Sequence, residues 1–132
     1  MVCSGETAKA LTPGTHGSTF GGNPVACAAA LATWDLATSP AQLKDTAEKG
    51  EHFRALALEI QKRHPARIKD VRGRGLLWGI EVEGPAAEVQ GRCRENGLLV
   101  NTAGEKTVRF APSYLVSREQ LAEGLAIFER SL

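Results

Sequence analysis

The clearest periodic pattern in the chain is an alternation. Leu76, Trp78, Ile80 and Val82 alternate with Leu77, Gly79, Glu81 and Glu83, a period of two that marks a strand with one buried face. Ile68 to Arg72 is expected to be its partner, turned through Gly73 and Gly75. Elsewhere the period is helical. Leu43, Ala47, Phe53, Leu56 and Ile60 form a stripe on a helix that starts at Ser39-Pro40 and runs to about Arg63, stopping before Pro65. An alanine-rich helix, Val25 to Ala37, precedes it. Asn23 is a strong cap, and Pro24 at the first helical position loses no needed donor. Gly84-Pro85 opens a third helix carrying Ala86, Val89 and Cys93, which Gly97 is placed to close. Leu98 to Asn101 and Thr107 to Phe110 read as two more short strands. Ser117 with Gln120 is a capping-box signature, and Leu121, Leu125 and Phe128 follow at helical spacing. The sum is an α+β fold, with helices packed on one face of a small, mainly antiparallel sheet. If Val108 and Phe110 face the core, Arg109 faces the other side of that sheet.

The first 23 residues break the pattern. Pro13, Gly14, Gly17, Gly21 and Gly22 are interleaved with Thr12, Thr15, Ser18, Thr19 and Asn23. This is loop chemistry, unusually long for a compact domain, and such loops are usually functional or belong to something larger. Composition changes the picture little. The chain has 132 residues, 42% hydrophobic and 23% charged, and its 16 basic and 15 acidic residues leave a net charge of +1. That balance argues against a nucleic-acid partner or a polybasic membrane surface. No apolar run approaches the roughly 18 residues that span a bilayer, and the N-terminus has no signal-peptide pattern. Cys3, Cys27 and Cys93 are too few and too scattered for a disulfide framework, so a cytoplasmic, reduced protein is expected.

Three places invite a chemical reading. In the segment Pro13 to Pro24, glycines allow close backbone approach, Ser18 and Thr19 offer hydroxyl donors, and a helix N-terminus follows at once. This is either a phosphate cradle or a glycine-rich surface loop with a helix cap; it is not a Walker A loop. Gly73-Arg74-Gly75-Leu76-Leu77-Trp78-Gly79 nearly mimics a dinucleotide fingerprint, but the spacing is off by one and a strand follows, so a tight hairpin is the better reading. Arg109 is either a solvated surface residue or a carboxylate-binding fork. His16, His52 and His64 show no metal-ligand spacing, and His52 and His64 fit the polar face of the second helix.

The segment Gly14-Thr15-His16-Gly17-Ser18-Thr19-Phe20-Gly21-Gly22-Asn23-Pro24, with Ala26 to Leu31 behind it, resembles class III pyridoxal-phosphate aminotransferases. The nearest branch is similar to acetylornithine/succinylornithine aminotransferase. Val71 to Glu81 resembles the first strands of that family's small domain, and Gly97 to Asn101 and Val108 to Pro112 its last two. The resemblance implies a fold-type I homodimeric enzyme that uses pyridoxal 5'-phosphate to move an ω-amino group from acetylornithine or a similar amino acid to the 2-oxo acid 2-oxoglutarate. It covers the whole chain but only about a third of such an enzyme, on the order of one domain of two. By resemblance, residues 1–23 are a loop of the cofactor domain, 24–38 a connecting helix and 39–132 the C-terminal small domain. Met1 sits where the family has an internal residue, which implies a truncated chain, a split gene or an excised piece.

The same resemblance implies roles. Thr19 matches the threonine that binds the cofactor phosphate across the dimer, and Ser18 the adjacent substrate contact. Arg109 matches the arginine associated with the substrate carboxylate or with a gating glutamate outside this chain. The family's Schiff-base lysine lies upstream of the matched segment, so no catalytic residue is assigned, and Lys9 stands in the wrong context. The chain alone is expected to be inactive. The alternative is a stand-alone, non-catalytic module for dimerisation or phosphate-ligand binding.

Overall fold

Side-chain caps fix where the first helices begin. The computed structural model describes residues 4–10, 12, 14 and 17–132; the readings attached to Cys3, Pro13, Thr15 and His16 lie outside the described residues. Ser4 accepts from the Thr7 amide at 3.3 Å and opens a single turn, α1 (Gly5–Ala8). The first 23 residues are therefore not all loop. The Ser4 cap and an exposed Lys9–Glu6 ion pair at 2.7 Å support this one turn. Asn23 caps α2 (Pro24–Ala37), its side-chain oxygen accepting from the Ala26 amide at 2.9 Å. Ser39 caps α3 (Pro40–Arg63) through the Gln42 amide at 3.3 Å. The chain divides into two compact units, Met1–Leu36 and Ala37–Leu132.

The second unit holds the sheet. Strands β1 (Ile68–Arg74) and β2 (Leu77–Val82) form a hairpin. Helix α4 (Ala86–Glu95) follows, then β3 (Asn101–Ala103), β4 (Thr107–Phe110) and α5 (Arg118–Arg130). The strand order is β1-β2-β4-β3, and every pairing is antiparallel. The hairpin turn is Gly75-Leu76, with Gly75 at φ +56°; Gly73 is not part of it but pairs with Trp78 inside the ladder. Gly73 is glycine for another reason: a Cβ there would lie 2.6 Å from the Trp78 ring. A register shift between Ile68 and Asp70 is a β-bulge. It lets both Ile68 and Val71, three residues apart, turn towards the core, which strict alternation forbids.

Two expectations shift. The strand predicted at Leu98 to Asn101 starts only at Asn101. The preceding backbone closes α4: Gly97, at φ +86°, donates to Arg94, and Leu98 donates to Cys93 at 2.8 Å, a paired helix-terminating motif. Leu98 and Val100 still pack against the core, so their apolar alternation is real although they are not in the ladder. On α3, Phe53 and Ile60 are buried and Leu56 is partly so, but Leu43 and Ala47 are exposed. At about 1.5 Å per residue a helix of 24 residues outruns the seven-residue β1, so its first turns have no sheet beneath them.

One aromatic chain links the helices to the sheet. Phe53 of α3 stacks on Trp78 of β2 with centroids 5.5 Å apart and meets Phe110 of β4 edge-on at 5.2 Å; Phe110 meets Phe128 of α5 at 5.4 Å. Ala86, Val89 and Cys93 of α4 complete the same core. Gly50 gives α3 its close approach to the hairpin: a Cβ there would lie 2.4 Å from the Gly75 carbonyl oxygen. His64 is not on the helix's polar face. It is the C-cap of α3, and its Nε2 pairs with Glu129 of α5 at 2.9 Å.

Candidate functional site

In the first unit, Ser18 and Thr19 sit on exposed turns immediately before α2. The Gly21 amide donates to the Ser18 carbonyl at 3.2 Å, and the Asn23 carboxamide donates to the Phe20 carbonyl at 2.7 Å. Gly22, at φ +78°, takes a conformation that side chains disfavour. A Cβ on Gly21 would come 2.9 Å from the Ser18 Cβ. These contacts set the course of the backbone and leave both hydroxyl-bearing residues at the surface. Asn23 satisfies the Ala26 amide itself, so a ligand oxygen here would draw on the side-chain hydroxyls and the remaining first-turn amides.

The second unit places Arg109 on the outer sheet face, with Val108 and Phe110 buried on the other, as the alternation predicts. The register aligns one row across all four strands: Arg72 opposite Gly79, Gly79 opposite Arg109, and Arg109 opposite Asn101. Between the two arginines stands a residue with no side chain. A groove of about 530 Å³ runs over this face, lined by Arg72, Arg74, Leu77, Gly79, Thr107 and Arg109 among others.

The two arginines differ in occupation. Arg72 Nη1 donates to Asp70 Oδ2 at 2.8 Å and to Glu81 Oε2 at 2.9 Å, while Nη2 donates to Thr107 Oγ1 at 2.9 Å. Hydrogen bonds first to Asp70 and then to Glu81 hold its pKa above the ordinary arginine value. The Arg109 guanidinium has no hydrogen-bond or ion-pair partner among the described residues, its backbone alone being paired in the ladder. A planar fork left open beside a groove is suited to a carboxylate.

Of the residues singled out from sequence, Ser18 and Thr19 lie together in the first unit and Arg109 in the second. Arg72, Arg74 and Thr107 were missed as members of the outer face. The signal was present: once Gly75-Leu76 is read as a two-residue turn, Arg72 falls opposite Gly79. The bulge at Ile68 to Asp70 hid the register of β1 upstream of it.

The family model for class-III aminotransferases matches residues 1–132. The chain belongs to that family. Among relatives, the acetylornithine aminotransferase of Myxococcus xanthus is 49% identical over 122 residues, covering 92% of this chain and 30% of the relative. The acetylornithine aminotransferase structure from Elizabethkingia anophelis superposes with a TM-score of 0.76 at 33% identity, over 93% of this chain and 32% of that one. An ornithine aminotransferase structure from Toxoplasma gondii, with pyridoxal phosphate partly occupying its active site, gives 0.74 at 32% identity over 93% and 30%. This class-III chain thus spans about a third of the length of the relatives it matches. Its α+β architecture is that of the corresponding part of fold-type I aminotransferases, enzymes of a family that depends on pyridoxal phosphate. Among the described residues no helix is long and apolar enough to cross a membrane.

Proposed function

We propose that this chain is the C-terminal part of a pyridoxal-phosphate aminotransferase that moves the ω-amino group of acetylornithine, or a close analogue, to 2-oxoglutarate, a step of the arginine-biosynthesis type. The observation that carries the donor is the 49% identity to the Myxococcus xanthus acetylornithine aminotransferase over 92% of the chain. In this reading residues 1–23 belong to the cofactor domain, 24–38 connect, and 39–132 form the small domain of a cytoplasmic homodimer. The Schiff-base lysine is supplied outside these 132 residues.

The residues present suit the phosphate end of the cofactor: an exposed threonine and serine on glycine-flanked turns before a helix. Thr19 donates its hydroxyl to a phosphate oxygen, a bond that adds no charge to an already dianionic group. Ser18 contacts the substrate beside it. Arg109 binds a substrate carboxylate bidentately and so fixes which end of the amino acid or oxo acid points at the reacting carbon. When bound, pyridoxal phosphate supplies the aldehyde that accepts the amino group and the ring that takes up the electrons of the deprotonated carbon.

Two experiments test the reading. First, this chain is grafted in place of the corresponding segment of the Myxococcus enzyme; transfer from acetylornithine to 2-oxoglutarate should persist, and should weaken in Thr19→Ala through cofactor affinity, by roughly 10-fold or more. A folded, cofactor-loaded hybrid without that transfer overturns the donor assignment. Secondly, the chain alone is mixed with pyridoxal phosphate. A stoichiometric, borohydride-reducible band at roughly 400–430 nm would show that the lysine lies within the chain and that the proposal of an outside lysine is wrong.

A further inference from the structure

Arg109 is open for a carboxylate only if the carboxylates already on its own sheet face are held elsewhere. Among the described residues of the four strands there are two, Asp70 and Glu81. The register makes Glu81 the more threatening. Its direct partner on β4 is Thr107, and Arg109 lies two residues further along that strand. Same-face residues in that diagonal relation lie about 7–8 Å apart at Cα, within reach of long side chains. A Glu81–Arg109 pair is therefore within the geometry of the sheet, yet Glu81 Oε2 is bound to Arg72 Nη1 at 2.9 Å.

Arg72 achieves this by reaching from β1 towards β4. Its Nη2 meets Thr107 Oγ1 on that strand at 2.9 Å, while Nη1 holds both carboxylates. The reach passes over β2 at Gly79, directly opposite Arg72. A Cβ at Gly79 would be in ordinary contact with Arg72 Cγ at 4.0 Å but would crowd Thr107 Cγ2 at 2.9 Å, so the glycine makes room for the threonine that receives the guanidinium. Thr107, 7% exposed although it lies on the outer face, gives the far end of the guanidinium a fixed acceptor.

We propose that Arg72 is a positioning residue: it sequesters Glu81, and with it Asp70, so that neither pairs with Arg109 and the guanidinium is left available to an incoming carboxylate. The availability for substrate rests on the reading of Arg109 given above; the sequestering of Glu81 does not. Arg72 is held at the side of the same groove by Asp70, Glu81 and Thr107. Its effect on Arg109 runs through Glu81, which sets it apart from a residue that merely braces the sheet.

The test is side-chain NMR of the arginine Nε–H groups in the 132-residue chain, with Arg109→Gln to assign the Arg109 signal. Without ligand, Arg72→Gln should shift the Arg109 signal, and Arg72→Gln/Glu81→Gln should return it to the wild-type position. A signal unmoved in the single variant, or equally moved in the double, overturns the proposal; amide spectra of both variants confirm that the fold persists. Glutarate, a dicarboxylate probe, is then titrated. The wild-type Arg109 signal should move, Arg72→Gln should weaken the response about two- to fivefold, the range of an exposed arginine–carboxylate pair, and the double variant should restore it. If glutarate leaves wild-type Arg109 unmoved, the carboxylate role of Arg109 fails, while the ligand-free comparison still decides whether Arg72 restrains Glu81.

Discussion

Replacing Gly50 with alanine sets two effects against each other, and the structure decides the sign. In the middle of a helix, alanine is favoured over glycine by about 0.8–1.0 kcal/mol. Here the new Cβ would stand 2.4 Å from the Gly75 oxygen, 2.9 Å from its Cα and 3.0 Å from its carbonyl carbon. All three are backbone atoms of a turn held at φ +56°, so none can swing aside like a side-chain tip. Relief must come from retreat of α3, which loosens the Phe53–Trp78 stack, or from movement of the turn, which stretches the 2.7 Å bond from Trp78 Nε1 to the Gly75 oxygen. Overpacking of this kind costs about 1–3 kcal/mol, and losing that bond about 1 more. The helix preference offsets only part of this, leaving a net loss of about 1–3 kcal/mol, or roughly 4–20 °C in Tm for a unit of this size. Gly91 of α4 is the control: its Cβ would meet nothing within 4 Å, so Gly91→Ala should raise stability by about 0.5–1 kcal/mol. Urea melts of the two variants beside the wild type settle the matter. A Gly50→Ala chain as stable as the wild type would show that α3 does not depend on that close approach.

Three further outcomes are expected. Hydrogen bonds from Arg63, at 2.8 Å to each oxygen, and from His64 hold the Glu129 carboxyl below its ordinary value. Its stabilising effect is therefore complete above the unfolded-chain value of about 4.3 and lost as pH falls through the lower folded value. Glu129→Gln should flatten the acid limb of a stability–pH profile, and an unchanged limb would remove Glu129 from the account. Burial raises the Cys93 thiol, which is 0% exposed, whereas Cys27 lies at the surface. A maleimide should label Cys27 in the native chain and Cys93 only on unfolding, as peptide mapping would show; equal rates would contradict the packing of α4. Ser117→Ala removes one half of the capping box, in which Ser117 Oγ accepts from Gln120 N at 3.1 Å and Gln120 Oε1 accepts from Ser117 N at 2.9 Å. It should lower stability by about 1 kcal/mol, read by denaturant melts; no change would mean that water replaces the cap freely.

Local chemistry was legible from the residues because local groups produce it. Asn23, Ser39 and Ser117 cap helices through bonds spanning three residues, and the alternation from Leu76 to Val82 states which face is buried. The position of Arg109 between two core residues followed from the same rule, whereas the family resemblance rests on the run of residues Gly14 to Pro24 itself. What the sequence could not determine depends on groups distant along the chain. The bulge at Ile68 to Asp70 arises because β2 and the core accept both Ile68 and Val71. Leu98 leaves the strand ladder because its amide is claimed by Cys93, and Leu43 stays exposed because α3 outruns the sheet. Arg72 is one arginine among many until the register sets it beside Gly79, Glu81 and Thr107. Hydrogen bonds within a few residues are written in the order of the side chains. Bonds across strands are chosen by whichever register buries the most apolar surface, and only the folded chain makes that choice.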